Sequence, residues 1–174
     1  MKKLLSFALL FVVAAASLQA CAQEDKSKRP SPPATASVTT EKGVNITVDY
    51  SQPALKGRTI GKDVEPMAGK VWRTGANEAT VFTIDKDVMV EGKKLPAGKY
   101  GLFTIAGENK WTIIFNKTWK QLGAFGYKEA DDVLRVTVKP GTAATAAERF
   151  TITAEKSGKV SLLWGNLNVA FEVK

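Results

Sequence analysis

Residues 44–50 read VNITVDY, and the alternation within them decides the class of fold. Val44, Ile46, Val48 and Tyr50 stand two apart, with Asn45, Thr47 and Asp49 between them. Successive side chains of an extended chain point to opposite faces, so this set buries one face of a strand and wets the other. The pattern recurs outward along the chain. Trp111, Ile113 and Phe115 share a face, as do Leu134, Val136 and Val138, and as do Leu167, Val169, Phe171 and Val173. No sustained stripe at helical spacing interrupts them.

The separators are turn chemistry. Glu91-Gly92, Pro96-Ala97-Gly98, Ala106-Gly107-Glu108-Asn109, Ser157-Gly158 and Gly165-Asn166 each stand between apolar runs, and Gly and Asn supply the positive φ that short turns need. Residues 143–148 read as a plain surface connection, with at most a helical turn. A strand about every ten residues predicts an antiparallel β-sandwich of about nine strands, jelly-roll-like, with little helix. Two stretches break the rhythm. Residues 52–67 hold two prolines and two glycines and are expected to cross one end of the sandwich, while residues 117–132 place Trp119, Phe125 and Tyr127 in a glycine-bearing loop. Long loops with polar and aromatic side chains are where such a scaffold carries function.

Ahead of the domain stands MKKLLSFALLFVVAAASLQAC, residues 1–21. Two lysines, an apolar run too short to span a bilayer, and small residues at its end mark residues 1–20 as a secretory leader. Leu18-Gln19-Ala20-Cys21 resembles a lipobox, in which Cys21 is acylated and the chain is cut before it. Each buried acyl methylene adds about 0.8 kcal/mol, so several chains would anchor the protein durably. Ala22, where an aspartate would hold such a protein at the inner membrane, points to the outer one, on its periplasmic or its surface side. Cleavage before Gln23 instead would give a soluble periplasmic protein. Residues 21–35 carry charge, serine and three prolines without a large apolar group, which reads as a flexible tether. The sandwich is expected over residues 36–174.

Composition closes several chemistries. The chain has no histidine and one cysteine, so a Ser-His-Asp triad, a Cys-His pair, a His/Cys zinc site and an internal disulfide are all impossible. Catalysis would fall to carboxylates, Lys, Tyr, Ser or Arg, and no metal or cofactor site is signalled. Without Lys2 and Lys3 of the leader there remain 23 basic and 17 acidic side chains, a balance of +6. The lysines are scattered among turns and strand ends, not gathered in a stripe with aromatics, so nucleic acid is not the expected partner.

Residues 70–80, KVWRTGANEAT, set a polar run between two strand fragments. Two readings stand. In one, Trp72 fills the core, Asn77 satisfies a turn and Arg73 pairs with Glu78 in a bulged corner. In the other, Arg73 or Arg58 holds an anion, Asn77 bonds a sugar or amide, Glu78 accepts a proton, and Trp119 stacks on a sugar ring. The candidate binding residues are therefore Arg58, Arg73, Asn77, Glu78 and Trp119, with a glycan or an envelope protein as partner. An alternative is a carboxylate-dependent hydrolase acting on glycans, with Glu78 catalytic beside Asp63, Glu65, Asp131 or Asp132. Such chemistry needs two carboxyl groups about 5 to 9.5 Å apart, one of them able to hold a proton.

KGRTIG at 56–61, KVWRTGANEAT at 70–80, LPAGKYGLFTI at 95–105 and WTIIFNKTW at 111–119 together resemble an uncharacterised bacterial envelope family, domain of unknown function 2911. The resemblance runs from about residue 29 to residue 174. It implies an exported, β-rich protein, often a lipoprotein, with no established activity.

Overall fold

The computed structural model describes residues 25–174, so the leader and Cys21 lie outside the described residues. Among the described residues eleven strands form, all paired antiparallel. The main sheet is arranged around β7 (Gly98–Ile105). On one side of it come β4 (Thr80–Ile84), β2 (Asn45–Ser51) and β1 (Pro33–Thr39), and on the other β8 (Trp111–Asn116) and β9 (Asp132–Val138). The two-residue β3 (Val71–Trp72) also pairs with β7. Neighbours in this sheet follow one another along the chain as a meander, so its likeness to a jelly roll lies in the layering of two antiparallel sheets.

The second layer is a long hairpin of β10 (Pro140–Ala154) and β11 (Lys159–Glu172). It is widened by the short hairpin of β5 (Val88–Val90) and β6 (Lys93–Leu95): Val173 bridges Val90, and Met89 and Lys174 exchange backbone bonds of 2.7 and 2.8 Å. Gly158, in the turn between β10 and β11, has φ +91° and its Cβ position is occupied by the carbonyl oxygen of Val173, so only glycine closes this corner.

Aromatic rings fill the space between the layers. Phe82 and Phe115 of the main sheet meet Phe171 of the hairpin, with centroids 6.0 and 5.7 Å away. Phe150 of β10 stands edge-on to Tyr50, Trp72 and Trp164 at 5.8, 5.0 and 6.0 Å. Tyr50 also ties the layers through its hydroxyl, which accepts from the Ile152 N–H at 3.0 Å. Among the described residues, the buried large side chains lie between Val44 and Val173.

Several boundaries differ from those expected. β1 begins at Pro33, ahead of Ala36, and Lys26–Lys28 form a 3-10 turn, so the ordered chain reaches into the segment read as tether. β1 is an edge strand of small residues whose Ala34, Ala36 and Val38 pack on the core. Residues 143–148 are no surface connection: they run within β10, bulged at Ala147. Gly165-Asn166 is not a turn either. Gly165, at φ +56°, sits inside β11 opposite Ala147, and the strand continues through it. Residues 52–67 do cross between the layers, with Ala54 bridging Arg149 and Leu55 N–H bonding Glu148 O at 2.9 Å.

Because Phe150 contacts rings from both layers, Phe150→Ala should lower the unfolding free energy by about 3–5 kcal/mol in urea titration, the range for emptying a buried aromatic site.

Candidate functional site

The run KVWRTGANEAT is an excursion from a single strand. Trp72 lies opposite Thr104 and Thr80 opposite Leu102, so residues 73–79 stand where one residue would face Phe103. The Thr80 N–H bonds Arg73 O at 3.2 Å and closes the excursion at its base. Gly75 packs so close to β2 that a Cβ there would lie 3.0 Å from Ser51 O. Asn77 has φ +58° and Thr74 φ +54°. For a β-branched residue this conformation is strained, by roughly 1–3 kcal/mol. Buried bonds hold it: Thr74 O accepts from Thr80 Oγ1 at 2.6 Å, Thr74 Oγ1 lies 3.2 Å from Thr104 Oγ1, and Trp72 Nε1 donates to Gly75 O at 3.0 Å.

The excursion has two flanks. On the first, a cleft of about 280 Å³ is lined by Arg58, Glu65, Trp72, Arg73 and Asn77. Arg58 reaches it from the crossover, its Nη2 and Nε donating to Ala54 O and Leu55 O at 2.7 and 3.0 Å. Glu65 is fixed by the Met67 N–H on Oε2 at 2.7 Å, and its carbonyl accepts from Trp164 Nε1 at 2.9 Å. Arg73 differs from both. Its Nε is buried without a hydrogen-bond partner, and its guanidinium forms no hydrogen bond or ion pair with the described residues. Burial lowers the Arg73 pKa from its ordinary value, and the Glu65 carboxylate only partly offsets that. Asn77 Nδ2 donates one of its two hydrogens to Ser31 O at 2.9 Å, which holds the amide in place on the cleft wall.

On the second flank, Glu78 does not pair with Arg73. It takes Lys26 Nζ at 2.8 Å and Arg29 Nη1 on both oxygens at 3.1 Å, cations 52 and 49 residues upstream. Its pKa is depressed from 4.5 to about 2, first by the Lys26 hydrogen bond, with Arg29 adding to it. A carboxylate held ionised this way cannot serve as the proton-holding member of a glycosidase pair. Among the described residues no group of three or more acidic side chains is placed to hold a metal ion.

Beside Glu78 the loop 117–128 lies over the outer face of the main sheet. Ala79 N–H bonds Gln121 O at 3.0 Å, Gly123 N–H bonds Asn77 O at 2.9 Å, and Glu78 bridges Leu122. Ala124 and Tyr127 of the loop cover Phe103, Ile114 and Ala79, a second small core, with Tyr127 and Phe103 ring centroids 5.1 Å apart. Tyr127 is thus packed against the sheet. Its hydroxyl donates to Asp132 Oδ2 at 2.7 Å and accepts from Arg135 Nη2 at 2.6 Å, and burial with the Asp132 bond pushes its pKa up to about 12. Asp132, one of the carboxylates considered as a partner for Glu78, is likewise enclosed by Arg135, Tyr127 and Asn116. Trp119 stays partly exposed, with Lys99 Nζ 5.4 Å from its ring centroid.

A family model described as protein of unknown function (DUF2911) matches residues 31–173. The chain belongs to the DUF2911 family. No curated protein and no solved structure matches it. In this DUF2911 domain the structure therefore joins Arg58, Arg73 and Asn77 in one cleft and sets Glu78 with Trp119 beside another groove. Sequence reasoning missed Glu65 as a cleft wall and Lys26 and Arg29 as partners of Glu78, because sequence spacing carries no sign of contacts so distant.

The Glu78 cluster makes a pH prediction. The folded carboxyl titrates near 2 and an ordinary one near 4.5, so its stabilisation is complete above about pH 4.5 and drains away as pH falls toward 2. With the side chain 43% exposed the contribution is screened to roughly 0.2–1 kcal/mol. Backbone amide shifts of residues 26–29 should move toward unfolded values over that window while those of β4 hold, and Glu78→Gln should produce the same change at neutral pH.

Proposed function

We propose that this protein is a lipid-anchored binding module of the cell envelope that holds the carboxylate or phosphate of an acidic sugar in the Arg58–Arg73 cleft. Arg73 carries the reading. A guanidinium whose Nε is buried without an acceptor is costly to the folded chain, and an anion entering the cleft supplies the acceptors it lacks. Arg58 lends a second positive charge from the crossover, and the Asn77 amide on the cleft wall would bond a sugar hydroxyl.

The anchor belongs to the same reading. The leader ends at Cys21, and acylation there would hold the domain at the outer membrane, with release as a soluble periplasmic protein as the alternative. No helix among the described residues is long and apolar enough to cross a membrane.

Calorimetric titration of residues 25–174 with galacturonic acid, glucose 6-phosphate and galactose tests the cleft. The acidic sugars should bind and the neutral one should not. Arg73→Met should weaken binding roughly tenfold to a hundredfold, the worth of a hydrogen bond to a charged group. The same change should leave the melting temperature level or raise it, since an unpaired buried charge gives way to an apolar side chain. Equal binding of galactose, or a large loss of stability in Arg73→Met with binding intact, overturns the proposal.

A further inference from the structure

The loop 117–128 displays apolar side chains that its own construction prevents from folding inward. Leu122 is 65% and Phe125 93% exposed, with Trp119 at 36%. The loop is held at both ends. Thr118 Oγ1 donates to Asp131 Oδ2 at 2.9 Å, Gln121 Nε2 donates to Thr118 O at 2.6 Å, and Ala79 and Asn77 pair with its middle. Three large apolar groups kept in water on a braced loop mark a contact surface.

The charges around it are mostly positive. Lys99 lies over the Trp119 ring, Lys117, Lys120 and Lys128 are exposed on the loop, and Lys26 lines a groove of about 460 Å³ with Trp119 and Leu122. The nearby acids are engaged: Glu78 by Lys26 and Arg29, Asp131 by Lys117, and Glu129 by Arg135. Trp, Leu and Phe encircled by lysine is the composition of a surface that lies in the headgroup region of an anionic bilayer.

The path of the chain brings that surface to the bilayer. Lys26 and Arg29 fix the upstream segment against Glu78, and Glu78 bridges Leu122. Cys21 precedes Asp25 by four residues, a reach of at most about 14 Å for extended chain. A lipid on Cys21 would therefore enter the membrane within about 14 Å of Asp25, the neighbour of Lys26 on this face.

We propose that loop 117–128 docks on an anionic phospholipid surface, placing Trp119, Leu122 and Phe125 among the upper acyl chains and its lysines at the headgroups. The orientation rests on the reading of Cys21 as the lipid-bearing residue. Lipid contact by the loop does not require acylation in the cell.

Residues 21–174, coupled through the thiol of Cys21 to a maleimide lipid in vesicles of brominated phosphatidylglycerol and phosphatidylcholine, provide the test. Trp72, Trp111 and Trp164 are 2%, 4% and 1% exposed, so quenching by the brominated chains reports Trp119. Quenching is expected, is removed in Trp119→Phe, and weakens about tenfold or more in Leu122→Asp and Phe125→Asp, the loss that follows from withholding one large apolar side chain from lipid. It should also fall at high salt and in pure phosphatidylcholine. Absence of quenching overturns the proposal, and so does self-association without lipid that Phe125→Asp abolishes, because a second copy would then cover this face. The mass of the natural amino terminus decides the anchor separately: a bare Cys21 with quenching intact overturns the anchor and supports the docking.

Discussion

Both candidate surfaces of this molecule follow from one break in one hydrogen-bonded ladder. Along the edge of β7 the chain pairs through Trp72, leaves for seven residues, and resumes at Thr80, where a regular strand would have spent a single residue opposite Phe103. The vacated outer face is covered by Ala79, Ala124 and Tyr127, and the excursion itself is closed by Thr80 on Arg73 and Thr74. Its first half builds one wall of the Arg58–Arg73 cleft, and its second half pairs with the loop bearing Trp119, Leu122 and Phe125. One insertion thus creates two surfaces, and neither would persist if the strand ran straight through.

The two charged residues of the excursion differ in their partners. Glu78 is partly exposed and receives two cations from the upstream segment, which ties that segment to the excursion. Arg73, also partly buried, has no hydrogen-bonding partner among the described residues, although a guanidinium carries five N–H donors. Folding alone gives no reason to place a guanidinium there. Glu65, held by Met67 on the cleft wall, moderates the positive field without bonding to Arg73.

The strands with large alternating side chains were legible because burial of one face leaves a period of two in the letters. β1 was not, since Ala34, Ala36 and Val38 are too small to signal a core face and its edge position asks little more of them. Gly165 reads as a turn from its identity, yet the left-handed residue lies within a long strand, where a bulge and a turn have the same local chemistry. In the site, the left-handed Gly75 and Asn77 could be anticipated. Thr74 could not, because its conformation is maintained by Thr80 and Thr104 against its own preference. The partners of Glu78 depended on how the upstream segment folds back, and the proximity of Arg73 and Glu78 along the chain pointed to the wrong pair.

Residues 73–79 form an ordered excursion clamped to the loop 117–128, and amide hydrogen exchange reads the clamp at the two bonds that make it. The N–H groups of Ala79, bonded to Gln121 O, and of Gly123, bonded to Asn77 O, should be protected well beyond the exposed turn at Gly92 and should open together. Exchange of both at the rate of that exposed turn, with β4 and β7 still protected, would contradict it.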